Sequence, residues 1–120
     1  MEQVLSDNLV IAIDAMGGDN SPRVVIEGLV EASLKNPDVR FLVYGDESRV
    51  KPLLNKYPNL KEKCELRHAP EAVRNEDKPS QVIRNRNTSM YMAIDSVRRG
   101  EAKAVVSAGN TGALMAPIIV

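Results

Sequence analysis

Residues 104–116 read AVVSAGNTGALMA. Ala104, Val105, Val106 and Ser107 have the small or apolar character of a short buried strand. Ala108-Gly109-Asn110-Thr111-Gly112 follows as a turn, and Ala113-Leu114-Met115-Ala116 is a run of helix formers. A strand that feeds a helix through a glycine-rich turn aims successive backbone N–H groups at one spot, at the positive end of the new helix. Gly109 and Gly112 let an oxyanion approach the backbone without a Cβ in the way. Asn110 and Thr111 add side-chain hydrogen bonds and a helix cap. Two readings stand at this point: an anion site beginning at Ser107, or an ordinary strand-to-helix turn in which Asn110 or Thr111 is only a cap.

The rest of the chain repeats the same alternation. Residues 8–14, NLVIAID, form a continuous apolar run ending in an acid, the pattern of a strand buried on both faces. A second glycine turn, Ala15-Met16-Gly17-Gly18-Asp19-Asn20, comes next. Ser21-Pro22 then reads as an N-cap followed by proline at the first helical position. Val25, Leu29 and Ala32, flanked by Ile26, Val30 and Leu34, give a wide helical stripe that Asn36-Pro37 stops. Residues 39–44, VRFLVY, read as the second strand, with a helix from about Glu47 to Lys56 after it. Cys64 to His68 is a third, weaker strand, residues 69–78 a loop, and residues 80–85 a short helix. Thr88 or Asn87 caps a helix with Met90, Ala93, Ile94 and Val97 at i, i+3, i+4 and i+7, and Gly100 ends it. Four strands alternating with helices predict an α/β fold: three layers, a mostly parallel sheet joined by right-handed crossovers, and helices on both faces. Ligands gather beyond the carboxyl ends of the strands in such sheets, and both glycine turns lie there.

Composition narrows the function classes. The chain has 120 residues, a formal net charge of zero, 43% hydrophobic and 27% charged residues. That is one domain's worth of ordinary globular sequence. Zero net charge and only four aromatics argue against a nucleic-acid partner. No apolar run of membrane-spanning length and no signal pattern occur, so the expected location is cytoplasmic. The single cysteine, Cys64, forms no internal disulfide and reads as buried and inert. His68 has no Cys or His near it in sequence, so no metal site is expected. Neither a GxGxxG after the first strand nor a GxxxxGK[ST] is present, which removes the usual nucleotide fingerprints.

Two further groups carry possible chemistry. Asp14 and Asp19 place two carboxylates around the turn that contains Gly17 and Gly18. They read either as an acid that orients a base or a substrate hydroxyl, or as a turn bond and a helix cap. Arg84 and Arg86 precede Thr88-Ser89, and they read either as partners of a phosphate or as a solvated basic face with a cap.

Taken together, Ile11-Ala-Ile-Asp-Ala-Met-Gly-Gly-Asp19, Lys78-Pro79, Arg84-x-Arg-x-Thr-Ser-Met90 and Ser107-Ala-Gly-Asn-Thr-Gly-Ala-Leu-Met-Ala116 resemble the acyl-ACP:phosphate acyltransferases of bacterial phospholipid synthesis. The resemblance runs from about Leu9 to Ala116 and covers the amino-terminal third of that family. Arg86 stands where the family often has lysine, which keeps the charge and changes the donor geometry. Pro117 is expected to break the last helix early, so residues 117–120 read as a truncated or atypical end.

The resemblance implies a reaction without metal, nucleotide or redox cofactor. Inorganic phosphate attacks the thioester of an acyl group on acyl carrier protein, and a membrane glycerol-phosphate acyltransferase consumes the acyl phosphate. It implies catalytic roles for Asn110, Thr111 and Asp14. Ser107, Gly109, Gly112, Gly17, Gly18, Asp19, Arg84, Arg86 and Ser89 would bind phosphate or substrate. It also implies a two-lobed homodimer similar in fold to the isocitrate and isopropylmalate dehydrogenases, with peripheral membrane association. Residues 1–120 would be the amino-terminal portion of that longer enzyme. The alternatives are a non-catalytic fragment that binds phosphate or a partner, and a phosphotransacetylase-like enzyme acting on acyl coenzyme A.

Overall fold

The computed structural model describes residues 9–18, 20–72 and 85–107. Strand β1 (Val10–Asp14) leads through the Met16–Gly18 turn to helix α1 (Arg23–Lys35), then to β2 (Arg40–Gly45) and α2 (Glu47–Leu54). A four-residue helix α3 (Pro58–Lys61) precedes β3 (Cys64–His68), and α4 (Ser89–Arg98) precedes β4 (Ala104–Ser107). The strands pair in the order β3-β2-β1-β4, every pair parallel. The expected parallel α/β sheet is present among the described residues.

Strand alternation sorts the core into two halves. Ile13, Phe41 and Val43 face Ile26 and Leu29 of α1, Val50 and Leu54 of α2, and Leu60 of α3. The neighbouring residues Ala12, Leu42 and Tyr44 turn to the other side, where Ala93 of α4 packs. Successive side chains on a strand point to opposite faces, so both faces must be covered when both are apolar. Helices accordingly lie on both faces. The chain runs outward from β1 to β2 to β3, then returns past them to place β4 on the free side of β1. The carboxyl ends of β1 and β4 therefore form the point at which strand order reverses.

Three local readings need correction. Helix α1 starts at Arg23 with Pro22 as its N-cap, and no side chain caps it; the Ser21 hydroxyl instead donates to the Gly17 carbonyl. Helix α2 stops at Leu54 rather than running to Lys56, with Pro52 inside it. The chain then tightens through Lys56 and Tyr57, whose amides reach back three residues to Leu53 and Leu54 at 3.1 and 3.0 Å. Helix α3 has no counterpart in the periodicity, since four residues are too few to show one; Leu60 alone is its buried anchor. Thr88 does cap α4, accepting from the Tyr91 amide at 3.0 Å, and Gly100 follows with φ of 80°. The end of the loop assigned to residues 69–78, the short helix at 80–85 save Asn85, the helix at 113–116 and the chain end at 117–120 lie outside the described residues.

Gly45 closes β2 where three elements converge. A Cβ there would stand 2.9 Å from Val50 Cγ2, 3.2 Å from Met16 Sδ and 3.3 Å from Ala15 Cβ. Val50 is fully buried and has little room to yield. Gly45→Ala is expected to lower stability by about 1–3 kcal/mol through overpacking, read as a shifted urea midpoint at unchanged slope.

Candidate functional site

The site grows from Asp14, the last residue of β1. Its register partners are Tyr44 at the end of β2 and Ser107 at the end of β4. Alternation sends its side chain to the α4 face, where it is 1% exposed. A carboxylate so far from water requires donors, and three are present. Oδ1 accepts from Ser89 Oγ at 2.5 Å and from the Met16 amide at 3.1 Å. Oδ2 accepts from Ser107 Oγ at 2.7 Å. One acid thus ties its own turn, the first residue of α4 and the last residue of β4. Of the two readings of Asp14 in the sequence, the turn bond is present, and two distant hydroxyls are added to it.

Ser89 is fully buried, and its hydroxyl proton goes to Asp14. Its backbone amide donates to the Glu71 carbonyl at 2.9 Å, and Asn85 Nδ2 holds the Glu71 carboxylate at 2.7 Å. The segment after β3 is thereby fastened to the one that enters α4. Gly17 is buried, and Gly18 has φ of 91°, a left-handed conformation natural to glycine. Arg49 of α2 reaches the Ser21 carbonyl at 3.2 Å. Beyond the carboxyl ends of β1, β2 and β3 lies an open polar cleft of about 530 Å³, with Met16, Asp46, Arg49, Glu71 and Asn85 among its walls.

The structure brings Asp14, Gly17, Gly18, Ser89 and Ser107 to one end of the sheet. It places Arg86 elsewhere, in a groove of about 300 Å³ with Tyr44, Arg67, Tyr91 and Arg99 on the α4 side. Asp19, Arg84, Gly109, Asn110, Thr111 and Gly112 lie outside the described residues. Arg49, Asp46 and Glu71 were not singled out in the sequence. The signal for Asp46 was its position two residues before Ser48. It caps α2, accepting from the Ser48 amide at 3.0 Å and hydroxyl at 2.8 Å. Those bonds, with the hydroxyl's the stronger effect, hold the Asp46 carboxyl below its usual range. Nothing in the sequence pointed to Arg49 or Glu71, because only the fold brings them to the cleft.

His68 ends β3 and accepts from the Glu47 amide through Nδ1 at 3.1 Å. Among the described residues no three His, Cys, Asp or Glu side chains are grouped to hold a metal ion. No helix of the described residues is long and apolar enough to cross a membrane.

Two outcomes test this arrangement. Ser89→Ala removes one donor from a buried charge and is expected to cost about 1.5–3 kcal/mol. Asp14→Ala should cost more, since it removes the acceptor that the Ser89 and Ser107 hydroxyls share; equal costs in urea denaturation would contradict the shared anchoring. Burial pushes the Cys64 thiol up to about 12, which leaves little thiolate at neutral pH. Its alkylation by iodoacetamide at pH 8 should be roughly a hundredfold or more slower in the native chain than in urea.

Comparison with known proteins follows the same residues. The family described as "Fatty acid synthesis protein" matches residues 9–119. A "Phosphate acyltransferase" of Parvibaculum lavamentivorans is 51% identical over 114 residues, covering 93% of this chain and 32% of its own length. Proteins of the same name from Granulibacter bethesdensis and Paramagnetospirillum magneticum are 51% and 50% identical, covering 92% and 93% of this chain and 30% and 32% of their own lengths. The chain spans about a third of these curated relatives. With nearly all of its residues matched, the chain belongs to the fatty acid synthesis protein family in which these phosphate acyltransferases fall.

Proposed function

We propose that this chain is the amino-terminal part of an enzyme that transfers a fatty acyl group from acyl carrier protein to inorganic phosphate. The observation that carries the reading is the Asp14–Ser107 pair. It joins β1 to β4 at the reversal of strand order, where α/β sheets bind their ligands. Residues 108–112, the glycine-rich turn, follow Ser107 directly.

Phosphate is already a nucleophile, so the protein has to hold it and to stabilise the tetrahedral oxyanion. One phosphate oxygen bonds to the thioester carbonyl carbon, the C–S bond breaks, and the carrier thiolate takes up the proton that phosphate gives up. Backbone amides of Gly109–Gly112, with Asn110 and Thr111, hold the phosphate; Gly17, Gly18 and Asp19 line the adjoining loop. Asp14 is a positioning residue in this scheme. Its buried carboxylate fixes the end of β4 through Ser107 and the start of α4 through Ser89, so the turn departs from an anchored strand. Arg84 remains a phosphate partner. Arg86 lies in a separate groove with Arg67 and Arg99, whose guanidinium groups are already paired with Glu65, Glu101 and Asp95.

In this reading the complete enzyme is a two-lobed homodimer resembling the isocitrate and isopropylmalate dehydrogenases. It works in the cytoplasm at the membrane surface and passes acyl phosphate to a glycerol-phosphate acyltransferase. The names of the relatives support the phosphate acceptor and an acyl donor.

The test uses a full-length protein carrying this sequence, with acyl carrier protein thioester or acyl coenzyme A as donor. Acyl phosphate is expected from the carrier-protein thioester, and Asn110→Ala should reduce kcat/KM for phosphate by at least about tenfold. Unchanged phosphate saturation in that variant would remove the turn from the site. Preference for acyl coenzyme A would favour the phosphotransacetylase-like alternative. The 120-residue chain alone should form no acyl phosphate from either donor.

A further inference from the structure

Arg49 stands in the first turn of α2, three residues after the cap Asp46. The amino end of a helix carries partial positive charge, so an acid such as Glu47 is favoured there and a cation is not. No neighbouring acid compensates. Among the described residues no carboxylate forms an ion pair with Arg49. The two carboxylates of the cleft, Asp46 and Glu71, take their hydrogen bonds from Ser48 and Asn85. The stability of α2 therefore gives no reason for an arginine at this place.

Its side-chain bond leads out of the helix. Arg49 Nη2 donates to the Ser21 carbonyl at 3.2 Å, across 28 positions of the chain. The carbonyls on either side, those of Asn20 and Pro22, accept from the Val24 and Ile26 amides at 3.2 and 3.0 Å as α1 begins. Ser21 is also the residue whose hydroxyl donates to the Gly17 carbonyl. One residue thus closes the glycine turn on itself and presents that turn to α2.

We propose that Arg49 is a positioning residue for the acyl transfer: it holds the far leg of the Gly17–Gly18 turn, as Asp14 holds the near one. The inference rests on the reading that this turn lines the phosphate site. The need for a second hold follows from the glycines. Two in succession leave the backbone many conformations, and Gly18 has to stay at φ of 91°. Amides that are ordered only when the anion arrives bind it less well than amides already in place. On the near leg, the Met16 amide donates to Asp14 at 3.1 Å and the Ala15 amide to the Tyr44 carbonyl at 2.9 Å, so that leg is tied to the sheet. On the far leg the backbone bonds lead only into α1, and Arg49 adds the tie to α2.

The experiment places Arg49→Met in a full-length protein carrying this sequence. The substitution keeps an apolar stem and removes the donors. Hydrogen exchange in the peptide from Met16 to Ser21 is expected to quicken by about three- to tenfold. The kcat/KM for phosphate should fall by about ten- to a hundredfold, while KM for the acyl donor stays as in the wild type. Tm should stay within about 2 °C, because losing a cation from the first turn offsets the lost bond. A residue that served stability alone would lower Tm and leave phosphate kinetics unchanged. Unchanged kcat/KM for phosphate in an active enzyme, or an equal loss in KM for the acyl donor, overturns the proposal. If the wild type forms no acyl phosphate from any donor, the functional reading fails on its own account, and exchange decides for Arg49. Unchanged exchange from Met16 to Ser21 then overturns the tie, and faster exchange upholds it.

Discussion

A carboxylate withdrawn from water at the end of a central strand is costly unless the protein replaces the lost hydration with donors. Asp14 meets that requirement with the Met16 amide and the hydroxyls of Ser89 and Ser107. The three lie as far as 93 positions from Asp14 along the chain, so the same acid that satisfies itself also assembles the end of the sheet. Were β4 to leave β1, or α4 to shift by a turn, Asp14 would lose a partner and the partner would lose its acceptor. The geometry of the candidate site is therefore coupled to the stability of the fold.

That coupling bears on what the site can do. The glycine-rich stretch 108–112 follows directly on Ser107, a side chain held by Asp14, and α4 starts with another, Ser89. Holding an anion on backbone amides depends on placing them before the ligand arrives, because amides that must be ordered on binding lose much of their advantage. A buried acid that touches no solvent can improve binding at its neighbour by removing freedom there. Asp14 fits that work better than proton transfer, for which a group has to reach the substrate.

The elements of the fold were legible where a single period or a single breaker decides them. Residues 10–13 and 41–44 are apolar on both faces, the pattern of a parallel strand between two layers. The stripe Met90, Ala93, Ile94 and Val97 with Thr88 before it and Gly100 after it left little choice for α4. Helix α3 was missed because one buried residue, Leu60, carries it. The start of α1 was misplaced because Ser21 looks like a cap while its hydroxyl turns back to Gly17. For the site, Asp14, Gly17 and Gly18 were legible from their place at a strand end. Neither the partnership of Ser89 with Asp14 nor the separation of Ser89 from Arg86 could be read. Both residues lie within one polar stretch, and only the capped start of α4 sends Ser89 inward and leaves Arg86 outside.

The same register that buries Asp14 also lines an apolar groove between α1 and β4. Ile13 pairs with Val106 and Asp14 with Ser107, so each pair of neighbours splits between the two faces. Ile13 and Val106 go to the α1 side, and Asp14 and Ser107 to the α4 side. A slip of β4 by one residue would bring Val106 against the carboxylate and set Ser107 in the apolar groove, which is unfavourable on both faces at once. Polar anchoring on one side and apolar packing on the other thus select a single register.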